Sequence, residues 1–512
     1  MKLNYKRTIL VGFAFFLISA FWQAYDATIP VILTNKFGMS QTWSGVIMAL
    51  DNILAVFMLP LFGALSDKCL GNRFGKRTPF ITIGTIVAAV ALLSISFIDA
   101  AQLQNISEVS QIDDPAALEI IYNSQANSTL MTPEGDEFVL ADVFTKEQFV
   151  AIRSQIDKKT NPDYTNYVAP ARQAYAAAAT HRNPVPLILF VCLLLIVLVA
   201  MATFRSPAVA LMPDVTIKPL RSKANAVINL MGTAGGILVL VLGMAFSTSA
   251  VHNQLMNYTV YYCVISALML GALTVFLLTV KEKKWAAEMQ MDSIKLGVEK
   301  EETEAGENRK LSTPEKRSLL FILASIALWY FGYNAVTSKY AVYAGNILNM
   351  DYNTTLLLAQ AAAIVAYMPA GIIASKFGRK KTIIAGVLML TTAFAFASFM
   401  RAGSSALLMN VLFALAGIGW ATINVNSFPM VVEMCSGADI GKYTGFYYTA
   451  SMSAQIVTPM LSGMLMDNMG MTVLFPYAAI FAGLALLTMV MVRHGDAKPE
   501  PQKDIAALDA ED

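Results

Sequence analysis

Charge is scarce in this chain. Of 512 residues only 14% are Asp, Glu, Lys or Arg, against about 25% in an ordinary soluble domain. Histidine is scarcer still, limited to His181, His252 and His494. The four cysteines (Cys69, Cys192, Cys263 and Cys435) are scattered, with no CxxC and no histidine nearby. That argues against a disulfide framework and against a zinc site. There is no GxxxxGK loop followed by Ser or Thr, so ATP-driven work is unsupported, and no HExxH or nucleophile elbow, so an enzyme is a poor reading. Formal net charge is +2, which gives no support to nucleic-acid binding. What the chain has in quantity is apolar surface: 56% of its residues are hydrophobic and mean hydropathy is +0.55. This is the composition of a polytopic membrane protein.

A bilayer-crossing helix needs about 20 apolar residues. That ruler finds twelve candidates, near 8–34, 43–65, 79–98, 185–212, 224–248, 258–280, 318–344, 354–375, 382–400, 404–430, 443–466 and 472–492. The first is too long for a cleaved signal peptide and has Asp26 inside it. With the N-terminus placed in the cytoplasm, 27 of the 37 Lys and Arg residues fall in cytoplasmic segments, 8 on the opposite side and 2 inside spans. The bias fixes the orientation. The expectation is a multi-pass protein of the cell (inner) membrane with both termini cytoplasmic.

Two segments interrupt the short loops. Residues 99–183 form a long outward insertion between the third and fourth spans, with 12 acidic residues against 6 basic ones. Weak helical patterns lie near 115–123, 145–157 and 166–180. Either a small helical cap or mobile loop, or a substrate-gathering or partner-binding element, fits this pattern. Residues 281–317 are charged and read as a cytoplasmic linker with a surface helix.

The two halves share a signal. Gly63-Ala-Leu-Ser-Asp67 leads to Arg73-Phe-Gly75-Lys76-Arg77-Thr78-Pro79, and Gly371-Ile-Ile-Ala-Ser375 leads to Lys376-Phe-Gly378-Arg379-Lys380-Lys381-Thr382, about 308 residues later. A weaker echo links Pro213-Asp214 and Arg221 with Pro429, Glu433 and Lys442. Repeated halves with a site between them are how many secondary transporters are built. The expected division is 1–98 with 184–280 as a first six-helix bundle, 99–183 as the insertion, 281–317 as the linker, 318–493 as a second six-helix bundle and 494–512 as a cytoplasmic tail.

The Gly63 to Pro79 loop motif resembles that of the major facilitator superfamily. Together with Ser206-Pro207 through Met212-Pro213-Asp214-Val215-Thr216, Arg221 and Ala224-Asn225-Ala226, it is similar to the plant-type sucrose:proton symporters and to the glycoside–pentoside–hexuronide:cation symporters. The resemblance spans the twelve-helix body and omits 99–183. It implies an all-α membrane protein of twelve transmembrane helices in two pseudo-symmetric six-helix bundles, moving a glycoside. Arg205 stands where sodium-coupled melibiose-type carriers have an Asp, which weakens sodium coupling. Asp214 falls where the sucrose symporters have theirs, so proton coupling is the carry-over, with no other cofactor. Ser375 stands in the second repeat where Asp67 stands in the first.

Ionisable groups inside a span cost several kcal/mol, roughly 2.5–3.5 each on insertion scales, and persist where they pair or line a wet cavity. Asp26 shares a helix face with Trp22, beside Gln23, and Asp51 lies next to Asn52 at similar depth. A ring for a sugar's apolar face beside groups for its hydroxyls suits carbohydrate. Arg205 is the one Arg well inside a span and could neutralise Asp26 or Asp51 and contact sugar hydroxyls; a permanent structural ion pair is the alternative. Tyr330, Asn334, Gln360, Trp420 and Asn424 are the second half's candidate sugar contacts, with Trp329, Lys339 and Asn426 nearby. Lys339, near the outer end, fits snorkelling. Asp26, Asp51 and Asp214 are candidates for proton coupling. Asp67, Arg77, Arg221 and Glu433 are candidates for gating ion pairs.

The resulting expectation is a proton-coupled symporter of an uncharged glycoside, a disaccharide such as sucrose or maltose, working as a monomer in the bilayer by alternating access. Its rivals are a drug/proton antiporter of the same superfamily and a non-transporting sugar receptor. The sequence is silent on which sugar.

Overall fold

The computed structural model describes residues 3–69, 74–157, 159–217, 220–295, 311–432, 434 and 440–494. Twelve long helices dominate these residues. They are α1 (Tyr5–Asn35), α2 (Gln41–Lys68), α3 (Thr78–Asn105), α4 (Val185–Asp214), α5 (Arg221–Ala245) and α6 (Thr259–Thr279), then α7 (Thr313–Tyr343), α8 (Tyr352–Phe377), α9 (Arg379–Ala397), α10 (Ala406–Val432), α11 (Ile440–Met469) and α12 (Leu474–Met491). The expected spans all fall on these helices. Eleven of the twelve are long and apolar enough to cross a bilayer. The exception is α11, whose middle carries Tyr447, Ser451, Ser453, Gln455 and Thr458. It is the more polar helix because it lines the space between the two halves.

The chain forms two helix bundles, each with its own apolar core. One core gathers Phe21, Ile32, Leu92, Phe204, Ile265 and their neighbours from α1 to α6. The other gathers Ile326, Trp329, Leu390, Phe413, Phe475 and their neighbours from α7 to α12. Between the bundles, α1 meets α7, α2 packs along α11, and α5 packs along α8. The pairings α2–α11 and α5–α8 are related by the repeat, and Pro60 and Pro369 stand inside α2 and α8 at nearly the repeat offset.

One end of the molecule carries residues 106–184 and is called the insertion side; the other carries the segment after α6 and is the linker side. α3 runs on to Asn105, past residue 98 where the apolar pattern stops. The reason is a buried ion pair in the extension: Lys36 Nζ lies 2.6 Å from both Asp99 oxygens and 2.7 Å from the Met256 carbonyl. A buried charge needs such a full set of partners.

The insertion is not purely helical. Helices span Pro115–Gln125, Lys146–Ala151 and Ala169–Arg182, and two-residue and three-residue strands form two hairpins. The expected helix over 145–157 stops at Ala151, after which Gln155–Ile156 pairs with Lys159–Thr160. The insertion has its own core of Val109, Leu118, Ile121, Phe149, Tyr164, Val168 and Tyr175. Buried Arg172 locks its first turn by donating to the Val109 and Ile112 carbonyls. Of the linker, Glu282–Lys295 forms a surface helix; residues 296–310 and 495–512 lie outside the described residues.

Candidate functional site

On the insertion side the bundles are pinned through two carboxylates of the second bundle, Asp467 and Asp351, each at the start of a helix. The first four N–H groups of a helix lack partners within it. At the start of α2, two of them are taken by Asp467, from the end of α11: Gln41 N and Thr42 N donate to its carboxylate at 2.8 and 2.7 Å, and the Thr42 hydroxyl donates as well. Lys339 of α7 donates to the Gln41 carbonyl at 2.6 Å. Lys339 therefore does not snorkel; it is fully buried. At the start of α8, the N-cap Asp351 accepts from Asn353 N and Thr354 N within its own bundle and from the Ser249 hydroxyl of the first bundle at 2.6 Å. Thr248 joins Tyr352 and Asn353 beside it. Gly45 and Gly463 let α2 and α11 touch, since a Cβ at either would collide with the Pro459 or Gln41 carbonyl.

Below these latches, near mid-span, lies a polar cavity of about 170 Å³ between the bundles. It is lined by Trp22 and Asp26 of α1, Met48, Asp51 and Asn52 of α2, Arg205 of α4, Asn334, Thr337 and Ser338 of α7, and Gln455 and Pro459 of α11. Asp26 is nine residues from the end of α1 and Arg205 nine from the other end of α4, which puts each roughly 14 Å inside its helix at 1.5 Å per residue. Asn52 Nδ2 donates to Asp51 at 2.7 Å. Asp51 is the leading charge acting on Arg205, and Asp26 and Asp51 stand close enough to act on one another. The Arg205 guanidinium carbon sits 5.8 Å from the Trp22 ring centre, in range of a cation–π contact. Trp22 and Asn334 line the cavity, while their Nε1 and Nδ2 atoms are themselves buried and have no hydrogen-bond partner among the described residues.

Of the residues expected from the sequence, the structure thus brings Trp22, Asp26, Asp51, Asn52, Arg205 and Asn334 to one cavity. Gln23 and Gln360 are instead spent on each other across the bundle interface. Trp420 stacks on Tyr333, centroids 3.7 Å apart and planes 2° from parallel, with Tyr330 edge-on at 5.2 Å. Tyr330 remains within electrostatic reach of Arg205, and Asn424 meets Tyr367. Thr337, Ser338 and Gln455 were missed. The first two follow Asn334 by three and four residues, so the helical repeat points to them; Gln455 is the one amide in the middle of α11.

Asp214 lies at the linker-side end of α4, outside the cavity. It accepts from Arg77 Nε at 2.8 Å, with Lys76 Nζ at 3.6 Å. Arg77 also donates to Ser66. These contacts lie within the first bundle. They are completed by Glu282, which sequence reading missed: its carboxylate takes the N–H groups of Lys76, Arg77 and Thr78 at 2.7–2.8 Å and the Thr78 hydroxyl at 2.7 Å. Glu282 thereby caps α3 and ties the linker helix to it. Glu433 lies outside the described residues, and so do the side chains of Asp67 and Arg221.

Residues 352–509 match the profile of the Major Facilitator Superfamily. Over 142 residues the chain is 25% identical to the MFS-type transporter ppzB of Metarhizium rileyi, a match covering 28% of this chain and 29% of that one. A 75-residue stretch is 27% identical to the sucrose transport protein SUC4 of Arabidopsis thaliana, covering 15% of this chain and 14% of that protein. The matched stretches span less than a third of either relative. In three dimensions the chain is similar to the inward open conformation of the xylose transporter XylE from E. coli, with TM-score 0.60 and 15% identity over 99% of this chain and 100% of that one. This chain therefore has the two-bundle membrane fold of the major facilitator superfamily, with that family's sequence signature in its second half.

Proposed function

We propose that the protein is a secondary carrier for an uncharged glycoside, working by alternating access with a proton as the coupling ion. The observation that carries this reading is the mid-span cavity, where Trp22, Asn52, Asn334 and Gln455 line one small space with Asp26, Asp51 and Arg205. Hydroxyl-rich neutral ligands suit such a mixture: they can accept from the guanidinium and the amides of the lining, donate to the carboxylates, and lay an apolar face on the indole ring. The xylose transporter with the same fold and the sucrose transport protein with a related stretch favour a sugar.

The Lys and Arg bias supports the linker side as cytoplasmic and the insertion side as outside. On that assignment the Asp467 and Asp351 latches close the outer end, in keeping with an inward-facing state. In the outer-closed state the cavity, at about 170 Å³, is smaller than the roughly 300–1,000 Å³ of sites for drug-sized ligands. It suits one sugar ring, and a disaccharide needs it to widen as the bundles rock. For coupling, Asp26 and Asp51 exchange the proton and Arg205 supplies the compensating charge as the environment changes. A carboxylate that gains or loses a neighbouring cation during the cycle binds a proton on one side and releases it on the other.

The test is flux in liposomes. Purified protein should move labelled sugar down its gradient and drive it uphill under an inward proton gradient without sodium. Sugar binding with no flux would instead identify a receptor, and sodium-dependent uptake would reassign the ion.

A further inference from the structure

The insertion reaches across the outer mouth. Its root is in the first bundle: it is continuous with α3 and α4, Gln102 of α3 donates to the Thr180 hydroxyl and the Lys36 carbonyl, and Gln173 donates to Asn35 at the end of α1. Gly38 lies so close to Gln173 and Ala177 that a Cβ there would collide with backbone. Its far edge lies on the second bundle at two separate places. The buried Thr165 hydroxyl meets Asn349 Oδ1 at 3.3 Å, in the loop joining α7 to α8. The hairpin turn Pro133–Gly135 lies against the loop joining α11 to α12, where Met471 N donates to the Pro133 carbonyl at 2.7 Å. There the backbones are in direct contact, since a Cβ at Gly135 would strike Met469 and Gly470, and one at Gly470 would strike Glu134.

We propose that this insertion is a strap over the outer end, rooted in the first bundle and gripping the second through Thr165–Asn349 and Pro133–Met471, which biases the carrier toward its outer-closed state. The inference rests on alternating access by the two bundles and is independent of the cargo. Both gripped loops immediately follow or precede the latches: Asn349 is two residues before Asp351, and Met471 is four after Asp467. When the outer ends part, a body fixed to the first bundle must release both grips. The insertion's core also takes in Val251 and Leu255 of the first bundle's α5–α6 loop, so the insertion moves with that bundle and the grips act together with the latches. The cost of opening then includes contacts that the twelve helices alone do not supply.

The experiment places spin labels at His252→Cys and Ala402→Cys, exposed outer loop positions of the first and second bundles. The native cysteines are replaced by Ser, and the distance distribution is read in nanodiscs by double electron–electron resonance. Thr165→Val with Asn349→Gly removes one grip; the valine is isosteric, and glycine accepts the left-handed backbone at 349, where φ is +52°. Met471→Pro removes the other, because proline lacks the donated N–H. Each should raise the ratio of the long to the short distance by about 3- to 10-fold, the effect of one hydrogen bond, and the combination should raise it further. Gly463→Leu, which wedges α2 from α11, is the control for bundle motion. If the wedge opens the outer end and the grip variants leave the wild-type distribution unchanged, the strap is overturned. If the wedge too leaves one short distance, the bundles do not part, and the alternating-access reading falls together with the strap.

Discussion

Replacing Asp467 by Ala is the sharpest single perturbation of the outer end. Its carboxylate accepts three hydrogen bonds from the first bundle, two from backbone N–H groups at the start of α2 and one from the Thr42 hydroxyl. Hydrogen bonds to a charged group contribute about 1.5–3 kcal/mol each when isolated. They are not additive, and the freed groups rehydrate when the end opens, so a net loss of about 2–4 kcal/mol is expected. At 1.4 kcal/mol per factor of ten, that shifts the equilibrium toward outer-open by roughly 30- to 700-fold. Asp467→Asn keeps the acceptor oxygen and should shift it by about tenfold. Lys339→Met breaks the neighbouring bond to the Gln41 carbonyl. Because both act through Gln41, the double variant should shift less than the sum of the singles. The assay is modification by a membrane-impermeant maleimide of a cysteine placed at Thr337, inside the cavity, applied from the insertion side. Faster labelling in Asp467→Ala than in Asp467→Asn, and in both than in wild type, is the prediction. Equal rates in all three would refute the idea that this cap holds the outer end closed.

Arg205→Ala should abolish uphill uptake while the protein remains in the membrane, and Arg205→Lys should not restore it, because lysine lacks the flat face set over Trp22; wild-type uptake by either sinks its role. Trp22→Phe and Asn334→Leu each remove a donor that has no partner among the described residues, so stability to heating should hold or rise, and because both side chains line the cavity apparent sugar affinity should fall by about 5- to 20-fold; an unchanged affinity contradicts the cavity assignment. Glu282→Ala removes the cap of α3 and should speed hydrogen exchange across 282–295 by an amount worth about 1–3 kcal/mol. Protection equal to wild type there would mean the linker helix is held without this cap, by Trp285 in the first bundle's core and by the Arg7 contacts to Glu288 and Trp285.

Hydropathy and the repeat made the twelve helices legible, because a bilayer admits few other solutions for such apolar runs. The repeat also carried an unread consequence: the pairing of α2 with α11 and of α5 with α8, which brings Asp467 onto the start of α2 and Ser249 onto Asp351, the N-cap of α8. Asp351 sits at a helix start, where acidic residues are commonplace, and the backbone N–H groups that Asp467 accepts from carry no sequence signal, so nothing in the sequence marks either as a latch. Of the scarce charges in the spans, Asp26, Asp51 and Arg205 line one space. Aromatic and amide residues were a weaker guide: Trp420 has Tyr333 against its face, and Gln23 has Gln360. A side chain that can bind a sugar can equally bind another side chain, and periodicity does not separate the two. The hairpins of the insertion escaped for a different reason. Strands of two or three residues leave no alternating pattern to read.

The central claim is that Asp26, Asp51 and Arg205 couple sugar movement to proton movement in one cavity. Its most direct test is simultaneous recording of internal pH and labelled sugar in liposomes holding wild type, Asp26→Asn or Asp51→Asn, across a panel of mono- and disaccharides. The account predicts that an inward sugar gradient acidifies the wild-type lumen with at least one sugar, and that at least one Asn variant exchanges that sugar without any pH change. Sugar flux in the wild type with no proton movement, or full coupling in both Asn variants, would contradict it.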